Sequence, residues 1–478
     1  MAVCIRLVMW ERPPGRDTLH RGQEAAPTRK IIPASSWKWN CAIGALLAAS
    51  ISLPAQAADL LEIYRMAQRN DPTLEAARYA LEAAQEKIPQ ARAGLLPVVA
   101  VNGSDNKTYA TNNFSNTPSV NRDVHAWNWT LQLTQPLLRM QSMYAFSGSK
   151  ALAGQAMAQY AQAEQDMILR VAQAYFDVLV ARENIEVAEG QLRAVQEQLG
   201  LAKRGFETGT NAITDTHEAQ SRVDLARSQR VAAQNELDSR RAELEKIVGN
   251  APEGLAALLP VVVIPQPQPD DPQAWIAQAR ENNPAVRAPQ AALLAAEAEV
   301  KKNRADYAPT LDVVASYGKN YSSGSTTMPT DFSTQGKSRQ AGVQLTVPIF
   351  AGFATGSRVA EAIANKNKIA AELEIARRQA GTDARQAYSA IVNGLSRIAA
   401  LQSAVESSQS AVKGNQAGYR LGIKVVIDVL NAEQQLYTAQ RDMVRARYDT
   451  LFQGLKLKAA AGVLTGEDVV AVNALLAH

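Results

Sequence analysis

Two aspartates lie at matching places after glycine turns, where a carboxylate can serve one of two purposes. Asp215 follows Gly209 by six residues, and Asp428 follows Gly422 by six. A carboxylate early in a helix complements the partial positive charge of the helix N-terminus, and this role alone accounts for both residues. If several chains place Asp428 around one axis, the carboxylates instead form a ring that attracts cations at a constriction. The elements that carry these residues decide between the two.

Other chemistry has little support in the sequence. His125, His217 and His478 are scattered along the chain, and none belongs to a metal-binding or nucleophile motif. Both cysteines, Cys4 and Cys41, precede residue 58. There is no phosphate-binding glycine loop, and no basic patch with interleaved aromatics that would indicate nucleic acid. We therefore expect a protein that is not an enzyme and has no cofactor, metal site or nucleic-acid partner.

The first 57 residues have the pattern of a secretory signal peptide. Residues 1–40 carry seven Lys or Arg and three Asp or Glu, an apolar run follows at 41–53, and the segment ends Ala55-Gln56-Ala57. This order is typical of a cleaved leader, whereas the alternative, a membrane anchor, needs about 20 apolar residues. Cleavage after Ala57 leaves 421 residues with 43 basic and 43 acidic side chains. The formal +4 of the whole chain thus belongs to the leader.

The rest of the chain contains one unit twice. Asn70-Asp71-Pro72 recurs as Asn282-Asn283-Pro284, an offset of 212 residues, and the glycine-turn motifs before Asp215 and Asp428 recur at an offset of 213. Six prolines lie between residues 249 and 272, which excludes regular helix there and indicates a semi-rigid linker. We therefore divide the mature chain into a first repeat at 58–248, a Pro-rich linker at 249–272 and a second repeat at 273–478.

Each repeat is predicted to contain a long helical hairpin. Apolar residues recur every seven positions in the first unit at Val171, Val178, Ile185, Leu192 and Leu199, and in the second at Ile391, Ile398, Val405 and Val412. A heptad pattern sustained this long indicates a coiled coil. The glycine motifs then place the hairpin tips at about 205–212 and 418–424.

Each repeat also carries two candidate strands, at about 96–109 and 125–138 in the first and 308–321 and 340–350 in the second. Apolar and polar residues alternate in them, which fits transmembrane β-strands and equally a half-buried soluble sheet. The secretory leader and the lack of a long apolar helix favour the membrane. Because an open sheet edge in hydrocarbon leaves backbone groups unpaired, four strands cannot stand alone there. Three chains would supply twelve strands.

These motifs resemble the TolC family of outer-membrane exit ducts. The resemblance is carried by Asp59-Leu-Leu-Glu-Ile-Tyr-Arg-Met-Ala-x-x-Asn70-Asp-Pro and by the two tip motifs, and it covers nearly the whole mature chain. It implies an α/β membrane protein, a homotrimer with a 12-stranded transmembrane β-barrel built from four strands per chain. The barrel would continue into a 12-helix periplasmic α-barrel of coiled-coil hairpins, with the linker in an equatorial belt.

The resemblance also implies a place and a task. The protein would span from the outer membrane into the periplasm of a Gram-negative cell, in contact with outer-membrane lipid. It would be a passive channel opened by a periplasmic adaptor and an inner-membrane ABC transporter or proton-driven pump. The cleavage site has no cysteine to carry a lipid anchor, and in this respect the chain resembles the unlipidated type I secretion branch of the family, which serves RTX-type toxins. Drug efflux is the alternative within the family, and a secreted coiled-coil scaffold is the alternative outside it.

Finally, the resemblance assigns roles at the hairpin tips. The pore constriction matches Asp428 and Asn431, where asparagine replaces a second aspartate of the family, so the ring would hold three carboxylates rather than six. The gate latch matches Gln198, Thr214 and Asp215 on one side and Tyr419 and Lys424 on the other. The adaptor contact matches Thr208, Gly209, Thr210, Leu421, Gly422 and Ile423.

Overall fold

The fold is that of a computed structural model, which describes residues 58–113, 118–210, 212–250, 252, 254–259, 262–326 and 332–477. The predicted leader at 1–57 lies outside these residues. No helix in the described ranges combines the length and the apolarity needed to cross a bilayer.

The first half of the chain runs from short helices through two strands into a long helical hairpin. Its elements are α1 (Leu60–Asn70), α2 (Pro72–Gln85), α3 (Lys87–Ala93), β1 (Val98–Asn112), β2 (Val120–Leu138), α4 (Met140–Glu207) and α5 (Ile213–Val248).

The second half repeats this order and adds a terminal helix. Its elements are α6 (Pro272–Asn282), α7 (Pro284–Arg304), a 3-10 turn (Ala305–Tyr307), β3 (Thr310–Ser322), β4 (Thr334–Thr346), α8 (Ala354–Arg420), α9 (Val426–Ala460) and α10 (Gly466–Asn473). The first two helices and the first strand of the two halves begin 212 residues apart, and the return helices begin 213 apart.

The Asn-x-Pro motif has a local physical cause. The Asp71 carboxylate accepts a hydrogen bond from the Thr73 backbone N–H (3.0 Å), and the Asn283 side chain accepts one from Ala285 N–H (2.8 Å). A proline follows each cap at the first helical position, where its missing N–H has no partner to lose. Both halves therefore begin their second helix with the same device.

The four strands form one antiparallel sheet in the order β1-β2-β3-β4. The β2–β3 pairing joins the two halves of the chain, and the pairs run from Ala126 opposite Ser322 to Leu138 opposite Leu311 with an irregularity after Pro136. In the described part of the chain, β1 and β4 each pair along one side only. The sheet of a single chain is therefore open at both edges.

The strand bounds differ from the sequence prediction most strongly in β4. The predicted segment was 340–350, but the strand begins at Thr334 and ends at Thr346. Thr334 to Arg339 has the composition of a loop, yet these residues pair with Tyr317 to Ser322 of β3. The strand stops before Pro348, which has no N–H to donate. In the first half, β2 begins at Val120, five residues before the predicted start.

The first helix of each hairpin is long and follows a strand of the sheet: α4 begins two residues after β2, whereas residues 347–353 separate β4 from α8. Helix α4 has 68 residues and α8 has 67, so each measures about 100 Å at about 1.5 Å per residue. The predicted heptad positions Val171, Val178, Ile391 and Val405 are buried. The largest apolar core joins the middle of α4 to α5, α9, α1 and the linker, with Tyr175, Phe176 and Tyr448 fully buried.

Candidate functional site

The two hairpin tips are built on the same turn. At the first tip, the Gly209 N–H donates a hydrogen bond to Phe206 O (3.0 Å), and the Thr210 N–H donates one to Gly205 O (2.8 Å). Both turns place their central glycine at positive φ, 72° at Gly209 and 69° at Gly422. This pair of bonds ends a helix in the left-handed conformation that glycine adopts without steric cost. The predicted tips therefore lie at helix–helix turns.

The second tip has the same pair of backbone bonds but carries different side chains. Gly422 N–H donates to Tyr419 O (3.0 Å) and Ile423 N–H donates to Gly418 O (2.9 Å). Leu421 is 74% exposed and Ile423 is 76% exposed, whereas the first tip carries threonines that bond back to its own helix end. The second tip thus presents two apolar side chains to solvent, a suitable anchor for a protein contact.

Asp428 has an ion-pair partner on its own hairpin. Lys424 Nζ lies 3.5 Å from Asp428 Oδ2, and both side chains are partly exposed. A Cβ at position 418 would lie 2.8 Å from Lys424 Cγ, so Gly418 provides the space in which the lysine stem folds back along α8. Within the described residues no ion pair joins Lys424 to Asp215. The predicted latch between neighbouring chains stays a prediction.

Asn431 is tied to the other hairpin. Its side-chain oxygen accepts a hydrogen bond from Arg222 Nη2 of α5 (3.2 Å), and Arg222 also pairs with Glu218 at 3.2 Å. An arginine at this place holds a positive charge beside Asn431. Sequence reasoning missed Arg222, because its position on α5 carries no signal until the two hairpins are placed side by side.

A buried carboxylate lies further along α9, five residues after Asp428. Glu433 is 2% exposed, and its Oε1 accepts hydrogen bonds from Gln198 Nε2 of α4 (3.2 Å) and Gln416 Nε2 of α8 (3.3 Å). Burial raises the pKa of Glu433, and the two bonds offset part of this rise. Among the described residues, Glu433 Oε2 and Gln198 Oε1 have no hydrogen-bond partner. Gln198, predicted in the latch, thus holds a carboxylate that joins three helices.

Glu433 was not among the predicted site residues, although its position in the sequence carries a signal. Val426, Leu430 and Glu433 lie at helical spacing on one face of α9, and the first two belong to the apolar cluster of the tips. A charged residue on an apolar face indicates a buried partner set. Tyr419 packs against the same cluster, while Thr214 is exposed and Asp215 lies in the first turn of α5.

The described residues hold no group of three His, Cys, Asp or Glu side chains placed to bind a metal ion. The tips combine a solvent-facing carboxylate, a cation beside it, an inter-hairpin bond and an apolar anchor. Such an arrangement can sort ions by charge and can change with the separation of the hairpins.

Comparison with known proteins identifies relatives over most of the chain. A family model described as outer membrane efflux protein matches residues 63–250 and 275–463, two segments that follow the internal repeat. The chain is 32% identical over 426 residues to the alkaline protease secretion protein AprF of Pseudomonas aeruginosa, covering 88% of each chain. It is 32% identical over 438 residues to the outer membrane protein TolC of Escherichia coli, covering 90% of this chain and 87% of that one.

A solved structure shares the fold. The outer membrane protein VceC of Vibrio cholerae superimposes with a TM-score of 0.72 at 17% identity, covering 84% of this chain and 96% of that one.

Proposed function

The chain belongs to the outer membrane efflux protein family, and on that basis we propose that it is the exit duct of a tripartite export system. It lies in the outer membrane and reaches into the periplasm. In this proposal three chains form one passive channel, which performs no catalysis. A periplasmic adaptor and an inner-membrane transporter open it at the hairpin tips.

The two open edges of the sheet are the observation that supports a trimer. A sheet with two free edges leaves backbone N–H and C=O groups without partners, at several kcal/mol for each group that meets hydrocarbon. Pairing β4 of one chain with β1 of the next removes both edges, and three chains give a closed barrel of twelve strands. The two hairpins per chain then give twelve helices below it, with the Pro-rich linker around their middle.

The tips supply the gate of this channel. We propose that Asp428 lines the constriction with Asn431 beside it, and that Gln198, Thr214, Asp215, Tyr419 and Lys424 contribute to contacts that hold the closed state. The exposed tip residues support an adaptor contact, which we assign to Thr208, Gly209, Thr210, Leu421, Gly422 and Ile423.

For the cargo we propose a protein exported by a type I system, driven by an ABC transporter. The relative AprF, named for the secretion of alkaline protease, supports this choice. Drug efflux, driven by a proton-coupled pump, is the second candidate, and the family description supports it.

Deletion of the gene in its own host tests both candidates together. We expect secreted protein to disappear from the medium and to return with a plasmid copy, while the inhibitory concentrations of drugs stay unchanged. A fall in those concentrations with normal secretion assigns the duct to drug efflux instead. A strain that loses neither property contradicts the exit-duct proposal. Extraction without detergent would support a secreted scaffold.

A further inference from the structure

The sheet has two chemically different faces. Directly opposite residues share a face, so the register assigns every odd-numbered residue of the paired segments to one side. That side, here called the apolar face, carries Val99, Val101, Trp127, Trp129, Leu131, Leu133, Val313, Tyr317, Val343 and Leu345. The other side carries small and polar residues such as Asn102, Thr130, Ser316 and Gln340. If the sheet is part of the proposed barrel, the apolar face meets lipid.

Three cations interrupt the apolar face on β3 and β4. Lys319 lies directly opposite Lys337, and Arg339, two residues further along β4, lies opposite Tyr317. Like charges directly opposite each other on one face destabilise a strand pair. The Arg339 guanidinium lies 5.6 Å from the centre of the Tyr317 ring. In the described part of the chain no carboxylate pairs with any of the three cations.

Charges on the other two strands are paired. His125 Nε2 lies 2.5 Å from Asp105 Oδ1, and Lys107 Nζ lies 3.2 Å from Asp123 Oδ2. Each of these carboxylates therefore has a side-chain partner within its own chain. When β1 of a neighbouring chain lies beside β4, as the proposed barrel requires, it brings no unpaired carboxylate from this set to Lys337.

The height of the cations along the sheet matches a membrane interface. Leu311 is the first residue of β3 on the apolar face, and Lys319 follows it by eight residues. This separation is about 26 Å along the strand, or about 20 Å along the membrane normal at the usual strand tilt. Lys319 lies toward the β3–β4 loop, away from the ends at which α4 and α8 begin. The aromatic pairs Trp129–Tyr317 and Trp127–Tyr321 lie at the same level, with ring centres 5.6 Å and 5.9 Å apart. Aromatic residues of this kind mark the edge of the apolar band.

From this geometry we propose that Lys319, Lys337 and Arg339 bind the phosphate of a phosphorylated glycolipid in the outer leaflet. The inference rests on the proposed function, because it requires the sheet to stand in the outer membrane. A phosphate group carries up to two negative charges and three acceptor oxygens, which the two ammonium groups and the guanidinium can share. The acyl chains of the same lipid lie against the apolar face below. One occupant thus satisfies both the unpaired cations and the apolar surface.

Native mass spectrometry of the detergent-solubilised full protein tests this site with lipid A as the probe. We expect Lys337→Gln to weaken the binding of lipid A about tenfold, since one charge-assisted hydrogen bond is lost. Lys107→Gln removes a cation that already has a partner on the same face, and it should change binding less than about twofold. Replacing all three cations with glutamine should reduce binding to that of dephosphorylated lipid A.

Three results would overturn the lipid site. They are equal binding of phosphorylated and dephosphorylated lipid A, equal effects of Lys107→Gln and Lys337→Gln, and full displacement of lipid A by millimolar inorganic phosphate. Each of these leaves a detergent-extracted oligomer and the exit-duct proposal intact. If the unaltered protein instead extracts without detergent, the proposed function itself fails.

Discussion

Replacement of Lys424 with alanine should make the channel more selective for cations. In the proposed trimer three Asp428 carboxylates surround the pore axis, and each has an ammonium group 3.5 Å away on its own chain. The charges of the constriction therefore largely cancel. Removing the lysine leaves three unpaired carboxylates, each of which attracts a monovalent cation 4 Å away by about 1 kcal/mol in bulk water. That energy corresponds to about a fivefold change in relative permeability.

Reversal potentials in planar bilayers under a KCl gradient measure this effect. Lys424→Ala should shift the potential toward the cation limit, Asp428→Ala should shift it the opposite way, and the double variant should return close to the unaltered protein. Lys456→Ala is the matched control, because it removes the same charge from an exposed site on α9 that lies 28 residues after Asp428, about 42 Å along the helix axis. Equal shifts for Lys424→Ala and Lys456→Ala, or no shift for Asp428→Ala, would refute the assignment of the constriction.

Three further predictions concern the tips. Asn431→Asp should increase block by divalent cations less than about tenfold, since Arg222 lies 3.2 Å from the substituted group; a larger increase in single-channel recordings would contradict this contact. Because burial raises the pKa of Glu433, the stability that its protonated form contributes is present below about pH 4.5 and is lost as the pH rises through the folded-state pKa. Amide hydrogen exchange in α9, corrected for the intrinsic pH dependence of exchange, should therefore become faster with rising pH in the unaltered protein and not in Glu433→Gln. Identical pH profiles for the two proteins would contradict this role of Glu433. Serine at both Leu421 and Ile423 should weaken adaptor binding about tenfold or more in a pull-down from detergent, and unchanged capture would exclude this anchor.

Much of the fold follows from patterns that are local in sequence. The heptad positions predict the hairpin cores, the alternation in 125–138 predicts a strand, and the glycine motifs predict turns that Gly209 and Gly422 make at positive φ. Each pattern reflects one element and its own period, so a single sequence is enough to find it. The family match over both repeats confirms the resemblance to outer-membrane exit ducts.

The parts that sequence reasoning missed depend on contacts between elements. Residues 334–339 have the composition of a loop, but their pairing with β3 makes them a strand. Arg222 reaches Asn431 across 209 positions, and Gln198 reaches Glu433 across 235. The periodicity of a single helix gives no information about contacts between residues so far apart in the sequence. The ion pair of Lys424 with Asp428 within one hairpin was likewise not predicted, while the latch between neighbouring chains stays a prediction.

In the proposed duct, three chains combine their strands and helices into one channel in the outer membrane. Native mass spectrometry of this protein, extracted from outer membranes in mild detergent, measures the number of chains in the particle. We expect a particle of three chains that enters solution only with detergent. A single-chain mass, or release of the protein without detergent, would contradict it, because the sheet edges of one chain would then stand unpaired or outside the membrane.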